Sequence, residues 1–376
     1  MISTRSHGLI DYAVASLLGG LSTRASLAPP VRRILGAAGA GHAGYAAMTD
    51  YEAGLQARLT MRQHLALDAI GGAALLGAGL FMRRQPAASR ALLIALGASE
   101  LVVVALSSAT PLSGPGQGSG PGQRVLGGDA TPSERAGYPP LDTLKPVAEG
   151  VYIVDSLLPG PLGMILPARM TVIRLSSGDL LLHSPTRFSL DLKEQLEALG
   201  PIRHLVAPNI AHWTFLKSWQ AHCPDAVTWA APNLRKRSQV RRSGVRLDHD
   251  LDNEPPAEWG EDIVLITVPG GLGFRESAIF HQPTRTLLLA DLVVNLEVEK
   301  LPQPMRPIAR LFGILAPDGM PAPYLRAVIK LQHREAAQAA RQLLALQPER
   351  VIFAHGSWFP QNGTAALRHS LRWLVP

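Results

Sequence analysis

Four apolar segments crowd the first 110 residues, about Gly8–Leu21, Val31–Met48, Leu65–Met82 and Ala91–Ser108, and they constrain this chain more than any other feature. Three approach the roughly 20 residues a helix needs to cross a hydrocarbon core, whereas the first is short and carries Asp11. A cleavable signal accounts for one such segment, not four. The remainder of the 376 residues has ordinary globular composition, so two solvents are implied.

The segments repeat. HGLIDYAVASLLGG (His7–Gly20) is similar to HLALDAIGGAALLGAG (His64–Gly79), and an offset of 57 sets His7 on His64, Asp11 on Asp68, Arg33 on Arg90 and Leu35 on Leu92. That is a duplicated two-helix hairpin. Gly36, Gly39, Ala40, Gly44, Gly71, Gly72 and Gly79 would let backbones approach closely, the packing that lipid favours. With R-x-H-G-L-I-D-Y at Arg5–Tyr12, T-D-Y-E-x-G at Thr49–Gly54 and M-R-x-H-L-A-L-D at Met61–Asp68, residues 3–110 resemble the SPW-repeat type of small bacterial membrane protein, though the tripeptide itself is missing. The resemblance implies a four-helix unit in a bacterial inner membrane and no particular activity.

His7 and Asp11, like His64 and Asp68, are four apart and so share a helix face. Ionisable groups at membrane depth are costly, which points to a proton or cofactor site. The competing reading is a polar pair that caps a helix end and fixes the hairpin. His42, on an otherwise apolar helix, reads as a packed histidine, because no partner for a haem ligand is evident.

The net charge of +7 has its visible source in the flanks of these helices, so a lipid bilayer, not nucleic acid, is the expected partner. Arg24, Arg32, Arg33, Arg83, Arg84 and Arg90 lie in the first and third loops, against Arg5, Arg58, Arg62 and Arg124 on the other side. By the positive-inside rule both ends of the unit, and the globular domain attached to it, face away from the cytoplasm. The lone cysteine, Cys223, excludes an intramolecular disulfide and any multi-cysteine zinc ribbon.

Residues 111–140 are rich in Gly, Pro and Ser without apolar periodicity, and read as a flexible tether. The chain then divides as a transmembrane domain (1–110), a linker (111–140) and a soluble domain (141–376). In the last, strands are predicted at Val151–Asp155, Met170–Leu175, Asp179–His183, Arg203–Ala207, Val227–Ala231, Ile263–Val268, Ser277–Phe280, Thr286–Ala290 and Arg350–Ala354. Helices are predicted near Leu190–Gly200, His212–His222, Pro323–Gln332, Arg334–Leu346 and Thr364–Leu374. Early strands followed by strand–helix alternation suggest two sheets with helices outside.

L-L-L-H-S-P-T (Leu180–Thr186), V-A-P-N-x-x-H (Val206–His212), L-L-L-A-D-L-V-V-N (Leu287–Asn295) and V-I-F-A-H-G (Val351–Gly356), in this order, make residues 141–376 resemble an uncharacterised branch of the metallo-β-lactamase superfamily. The implied class is α/β, an αββα sandwich, joined to an all-α membrane domain. In that superfamily strand-end His and Asp residues hold one or two metals, which make hydroxide from water near neutral pH. Here the family pattern lands on His212, Asp291 and His355, with Asn209 as a weak neutral addition, and Gly271 stands where a further histidine is usual. With this reduced donor set the resemblance implies a single zinc or iron ion, and His183, His204, His222 and His281 are read as structural or exposed.

Trp213, Phe215, Trp219 and Trp229 read mainly as core, and as an apolar wall that would suit a lipid-like substrate. Arg235, Lys236, Arg237, Arg241, Arg242 and Arg246 form a basic run, either solvated or facing anionic headgroups. Two functions stand open: a membrane-tethered mono-metal hydrolase acting on a small-molecule or lipid-like substrate, or a non-catalytic ligand-binding or interaction module on the same anchor.

Overall fold

A computed structural model describes residues 4–51, 54–56, 58–107, 136–159, 165–251 and 254–375. Most of the expected tether, up to residue 135, lies outside them. The chain divides into two compact units, one built on the amino-terminal helices and the other on the strands.

The first unit holds α1 (Thr4–Ser22), α2 (Pro29–Met48), α3 (Met61–Phe81) and α4 (Ala87–Leu106). Two prolines at the first positions of α2 start it without losing a needed donor. At α3 the Thr60 hydroxyl and the Gln63 side chain close a reciprocal capping box. Helices α3 and α4 are long and apolar enough to cross a membrane.

Each hairpin packs backbone on backbone. A Cβ on Gly39 would lie 2.9 Å from the nitrogen of Gly19, and one on Gly97 would lie 2.5 Å from the carbonyl oxygen of Gly72. The two hairpins make matching contacts, in a register that changes between helices. Leu18 and Leu75 meet Leu35 and Leu93 in one core, and the Arg32 and Arg90 Nε atoms donate to the carbonyls of Ser22 and Gly79. Hence α1 matches α3 at an offset of 57, whereas α2 matches α4 at 58. Arg32 and Leu93, rather than Arg33 and Leu92, are the equivalent residues; helices of nearly uniform Ala, Leu and Gly carry too little pattern to reveal a one-residue shift.

The second unit opens with β1 (Leu144–Ala148), β2 (Val151–Pro159), β3 (Ile165–Arg174) and β4 (Leu180–His183), followed by β5 (Ile202–Ala207), β6 (Val227–Ala230) and β7 (His249–Asp250). They form one sheet in chain order, antiparallel as far as β4 and parallel from there to β7. A second sheet of β8 (Ile263–Pro269), β9 (Arg275–His281), β10 (Thr286–Leu288) and β12 (Arg350–Ile352) has the order β12-β10-β9-β8. A short parallel pair joins β11 (Val294–Asn295) to β13 (His355–Gly356).

Ile173, Leu181, Val206 and Trp229 of the first sheet pack on Ile263, Leu265, Ile279 and Leu288 of the second, so the two sheets share one apolar core. Outside them, α5 (Leu190–Glu197) lies against β1, and a helix at His333–Ala345 buries its Ala336, Ala340 and Leu343 against β8. The helix Gly363–Ser370 lies against β12. The second unit is an αββα sandwich.

Several predicted ends move. The helix after β5 begins at Leu216, not His212, because the Asn209 side chain bonds the intervening backbone. Strand β10 stops at Leu288, leaving Asp291 in the following turn. Within the basic run, Arg235 pairs with Asp250 and Arg246 with Asp248, so those two cations have partners within the domain.

Candidate metal centre

Strand β5 delivers Pro208 and Asn209 to a turn, and Asn209 sets its shape. Its Oδ1 accepts from the backbone N–H groups of Ala211 (2.8 Å) and His212 (3.1 Å). Such a bond offers the backbone an alternative to the helix and delays the helix to Leu216. The other end of the same amide donates to Asp291 Oδ2 at 2.8 Å and Glu276 Oε2 at 3.0 Å. The sequence suggests Asn209 as a weak ligand, and in the structure both ends of its amide are engaged by protein groups. Its oxygen accepts from the turn and its nitrogen donates to two carboxylates, the bonding of a residue that positions Asp291.

His212, Asp291 and His355 converge, offering donor atoms that all lie within 4.8 Å of one another. His212 Nε2 is 3.2 Å from Asp291, and His355 Nε2 is 3.4 Å from it. Both rings are held from behind. His355 Nδ1 donates to the carbonyl of Pro167 at 2.8 Å, which turns Nε2 towards Asp291, and His212 Nδ1 meets Ser184 Oγ at 2.6 Å. This is the outer-shell bonding that orients metal-binding histidines. Atoms bonded to zinc at about 2.0–2.1 Å in a tetrahedron are about 3.3 Å apart, so the spacing fits one ion. All three side chains are half-buried, and the donor set is that of an open, three-ligand site.

Burial alone would raise the Asp291 carboxyl, but the adjoining His212 and His355 hold it well below the usual range. The His355 imidazole is desolvated, yet its contact with Asp291 moves it upward. His183, fully enclosed nearby, is pushed down to about 3 by burial and then by His212, so it stays neutral.

Two residues essential to this geometry belong to none of the sequence motifs. Glu276 of β9 is fully buried, and its carboxylate accepts from the N–H groups of Ala290 (2.9 Å), Asp291 (2.9 Å) and Leu292 (3.1 Å) as well as from Asn209. It fixes the turn that presents Asp291. Burial and the charge of Asp291 push its pKa up, while the donors from Ala290, Asp291 and Asn209 oppose the shift. The signal available in the sequence is weak, a carboxylate near the start of the strand R-E-S-A-I-F-H, ahead of its apolar A-I-F run.

Arg169, buried in β3, donates to the carbonyls of Phe353 and Gly356, both at 2.9 Å, and pairs with Asp155 at 2.6 Å. It ties the His355 segment to the first sheet. Gly356 itself has φ +97°, and a Cβ there would lie 2.1 Å from the carbonyl oxygen of Asn295, so no other residue fits behind His355.

Gly271, the position at which the sequence resemblance leads to the expectation of a further histidine, sits under Leu331. A Cβ at Gly271 would come within 2.4 Å of the Leu331 side chain. The described residues therefore fill that place with leucine. Three further histidines lie elsewhere: His204 accepts from Trp229 Nε1 at 3.1 Å, His222 stacks on Phe188 with ring centres 4.0 Å apart, and His281 bonds Thr284 at 2.8 Å.

A family described as a domain of unknown function (DUF4336) matches residues 151–313. Among curated proteins none matches the chain. Among solved structures, the DIM-1 metallo-β-lactamase exposed to ceftazidime is 13% identical, with TM-score 0.44, covering 62% of this chain and 95% of that one. FIM-1 from Pseudomonas aeruginosa in its mono-zinc form is 15% identical, TM-score 0.41, with coverage of 62% and 96%. A metallo-β-lactamase from Hirschia baltica is 16% identical, TM-score 0.42, with coverage of 62% and 98%. The chemistry open to His212, Asp291 and His355 rests on their own geometry.

Asn209→Ala frees both the turn and the Asp291 carboxylate. Metal affinity at this centre is expected to fall about 10- to 100-fold, the usual effect of losing an outer-shell partner. Competition against a chelator measures it, and unchanged affinity would remove Asn209 from the positioning role.

Proposed function

We propose that the carboxy-terminal domain is a mono-metal hydrolase carried by a membrane anchor. The observation that supports it is the convergence of two imidazole Nε2 atoms on one carboxylate, with both Nδ1 atoms engaged behind. The ligands are His212, Asp291 and His355, and the ion is zinc or iron. At such a site a divalent ion supplies a bound water of lowered pKa and a polarised scissile bond.

The protein's own part is to hold these groups in place. Pro167 and Ser184 fix the imidazole orientations, and Asn209 with Glu276 fixes Asp291. Glu276 has all its lone pairs directed at N–H donors, so it holds the turn and is no base for a substrate proton. Half-buried Trp213 and Phe215 follow His212 on the same turn and support an apolar, lipid-like ester, amide or phosphoester substrate. Helices α3 and α4 support anchoring in a bacterial inner membrane, with the arginine distribution favouring a non-cytoplasmic domain.

The full chain, purified in detergent from metal-replete cells, is expected to hold one more metal ion than His212→Ala, Asp291→Ala or His355→Ala, and to lose hydrolysis of a lipid-like ester with it. Equal metal in all four proteins would sink the reading. Bound metal without turnover across ester, amide and phosphoester probes would instead favour a non-catalytic binding module.

A further inference from the structure

One end of the helical unit gathers His7 and Asp11 of α1 with His64 and Asp68 of α3, all within 2% of complete burial. Each helix contributes its pair at 3.2 Å, and the pairs also cross: His7 Nε2 lies 2.9 Å from Asp68, and His64 Nε2 lies 3.0 Å from Asp11. The two Nε2 atoms are themselves 3.1 Å apart. Capping pairs within a helix, one of the two expectations for these residues, would not bring the two histidines together.

Two hydroxyls fix the protons on these rings. Ser107, at the carboxy end of α4, donates to the carbonyl of Val103 at 2.6 Å and lies 2.7 Å from His7 Nδ1. Thr49, at the carboxy end of α2, donates to the carbonyl of Tyr45 at 2.7 Å and lies 2.7 Å from His64 Nδ1. A hydroxyl has one hydrogen. With that hydrogen spent on a carbonyl, each oxygen must accept from Nδ1–H, and each neutral ring then presents a bare lone pair on Nε2. With both rings neutral, two lone pairs and two carboxylates face one another with no donor among the four. Such an arrangement repels itself unless positive charge, a metal ion or a second proton on each ring, lies within it.

We propose that the four-helix unit is itself a metal protein, in which His7, His64, Asp11 and Asp68 enclose one divalent transition-metal ion. Two carboxylates balance the charge of such an ion, and two imidazoles favour zinc, iron or their neighbours over magnesium or calcium. Separations of 2.9–3.2 Å between the pairs match ligands around a single ion. Outer contacts complete it: Tyr51 donates to Asp11 at 2.7 Å, and Tyr45 donates to Asp68 at 2.8 Å. His42, paired with Glu100 at 2.9 Å and 3.3 Å from Asp11, adds a neighbouring ion pair without joining the ligand set. Four ligands and full burial make this a closed site, which contrasts with the half-open centre at Asp291. It joins the two hairpins, a structural role for the duplicated motif.

The test uses the full chain in detergent carrying Asp291→Ala, which removes the other centre and makes the two readings separable. Loaded with zinc or cobalt, this chain is expected to retain one ion, with cobalt giving the visible absorption of a four-coordinate nitrogen–oxygen site. Adding His7→Ala and His64→Ala abolishes the ion, and Asp68→Asn weakens it at least tenfold. Should those variants misfold, nitrogen NMR of histidine in the intact Asp291→Ala chain decides: metal-bound Nε2 with protonated Nδ1 supports the site. No ion in metal-replete protein, with His7 and His64 protonated on both nitrogens, would overturn it in favour of a cluster held by protons alone.

Discussion

Glu276→Ala is expected to lower the unfolding free energy of the carboxy-terminal domain by about 3–5 kcal/mol, the range for removing one partner of a buried charged network. Four donors around a fully buried carboxylate would lose their acceptor at once: three successive backbone N–H groups and the amide of Asn209. Glutamine keeps the volume but aims an NH2 group at two of those donors, so Glu276→Gln recovers only part of the loss. All six tryptophans lie in this domain, from Trp213 to Trp373, so denaturant unfolding of the full chain followed by tryptophan fluorescence reports on it selectively. A shift below about 1 kcal/mol would mean that the turn holds without Glu276.

Arg169→Met acts on the other side of the centre. The guanidinium bridges Asp155 to two carbonyls flanking His355, and methionine would leave Asp155 with Lys145 as its remaining cation. Breaking such a buried pair is expected to cost about 3–5 kcal/mol. A second consequence separates this variant from a general loss of stability. Under conditions where it remains folded, its metal affinity at His355 should fall, because the segment that carries this ligand loses its anchor to β3. Arg169→Lys restores the charge without the planar fork and should recover stability better than affinity. Equal affinity in wild type and Arg169→Met would confine Arg169 to the core.

Much of this is legible from residues close together in the chain. The L-L-L-H, L-L-L-A-D and V-I-F-A-H-G runs end strands or the turns just after them, because apolar runs bounded by polar and glycine residues leave few alternatives. The duplicated hairpin is legible too, since the paired His and Asp of α1 recur in α3 at an offset of 57 where composition alone distinguishes nothing. Asn209 is ambiguous because a side-chain amide looks the same in sequence whether its oxygen faces a metal or its own turn. Only the partners of both its ends distinguish the two.

The sequence by itself determined the apolar helices, the two-sheet class and the residue types available for chemistry, because these depend on local periodicity and on strand ends. Tertiary structure decided what those residues face. Glu276 meets Asp291 across 15 positions, Arg169 reaches the His355 segment across 184 and 187, and His7 finds Ser107 across 100. Hydrogen bonds over such separations are set by how sheets and helices pack, and no local pattern encodes them. The same holds for the proton positions in the helical unit, which are set by two hydroxyls at helix ends that no spacing rule connects to the histidines they orient.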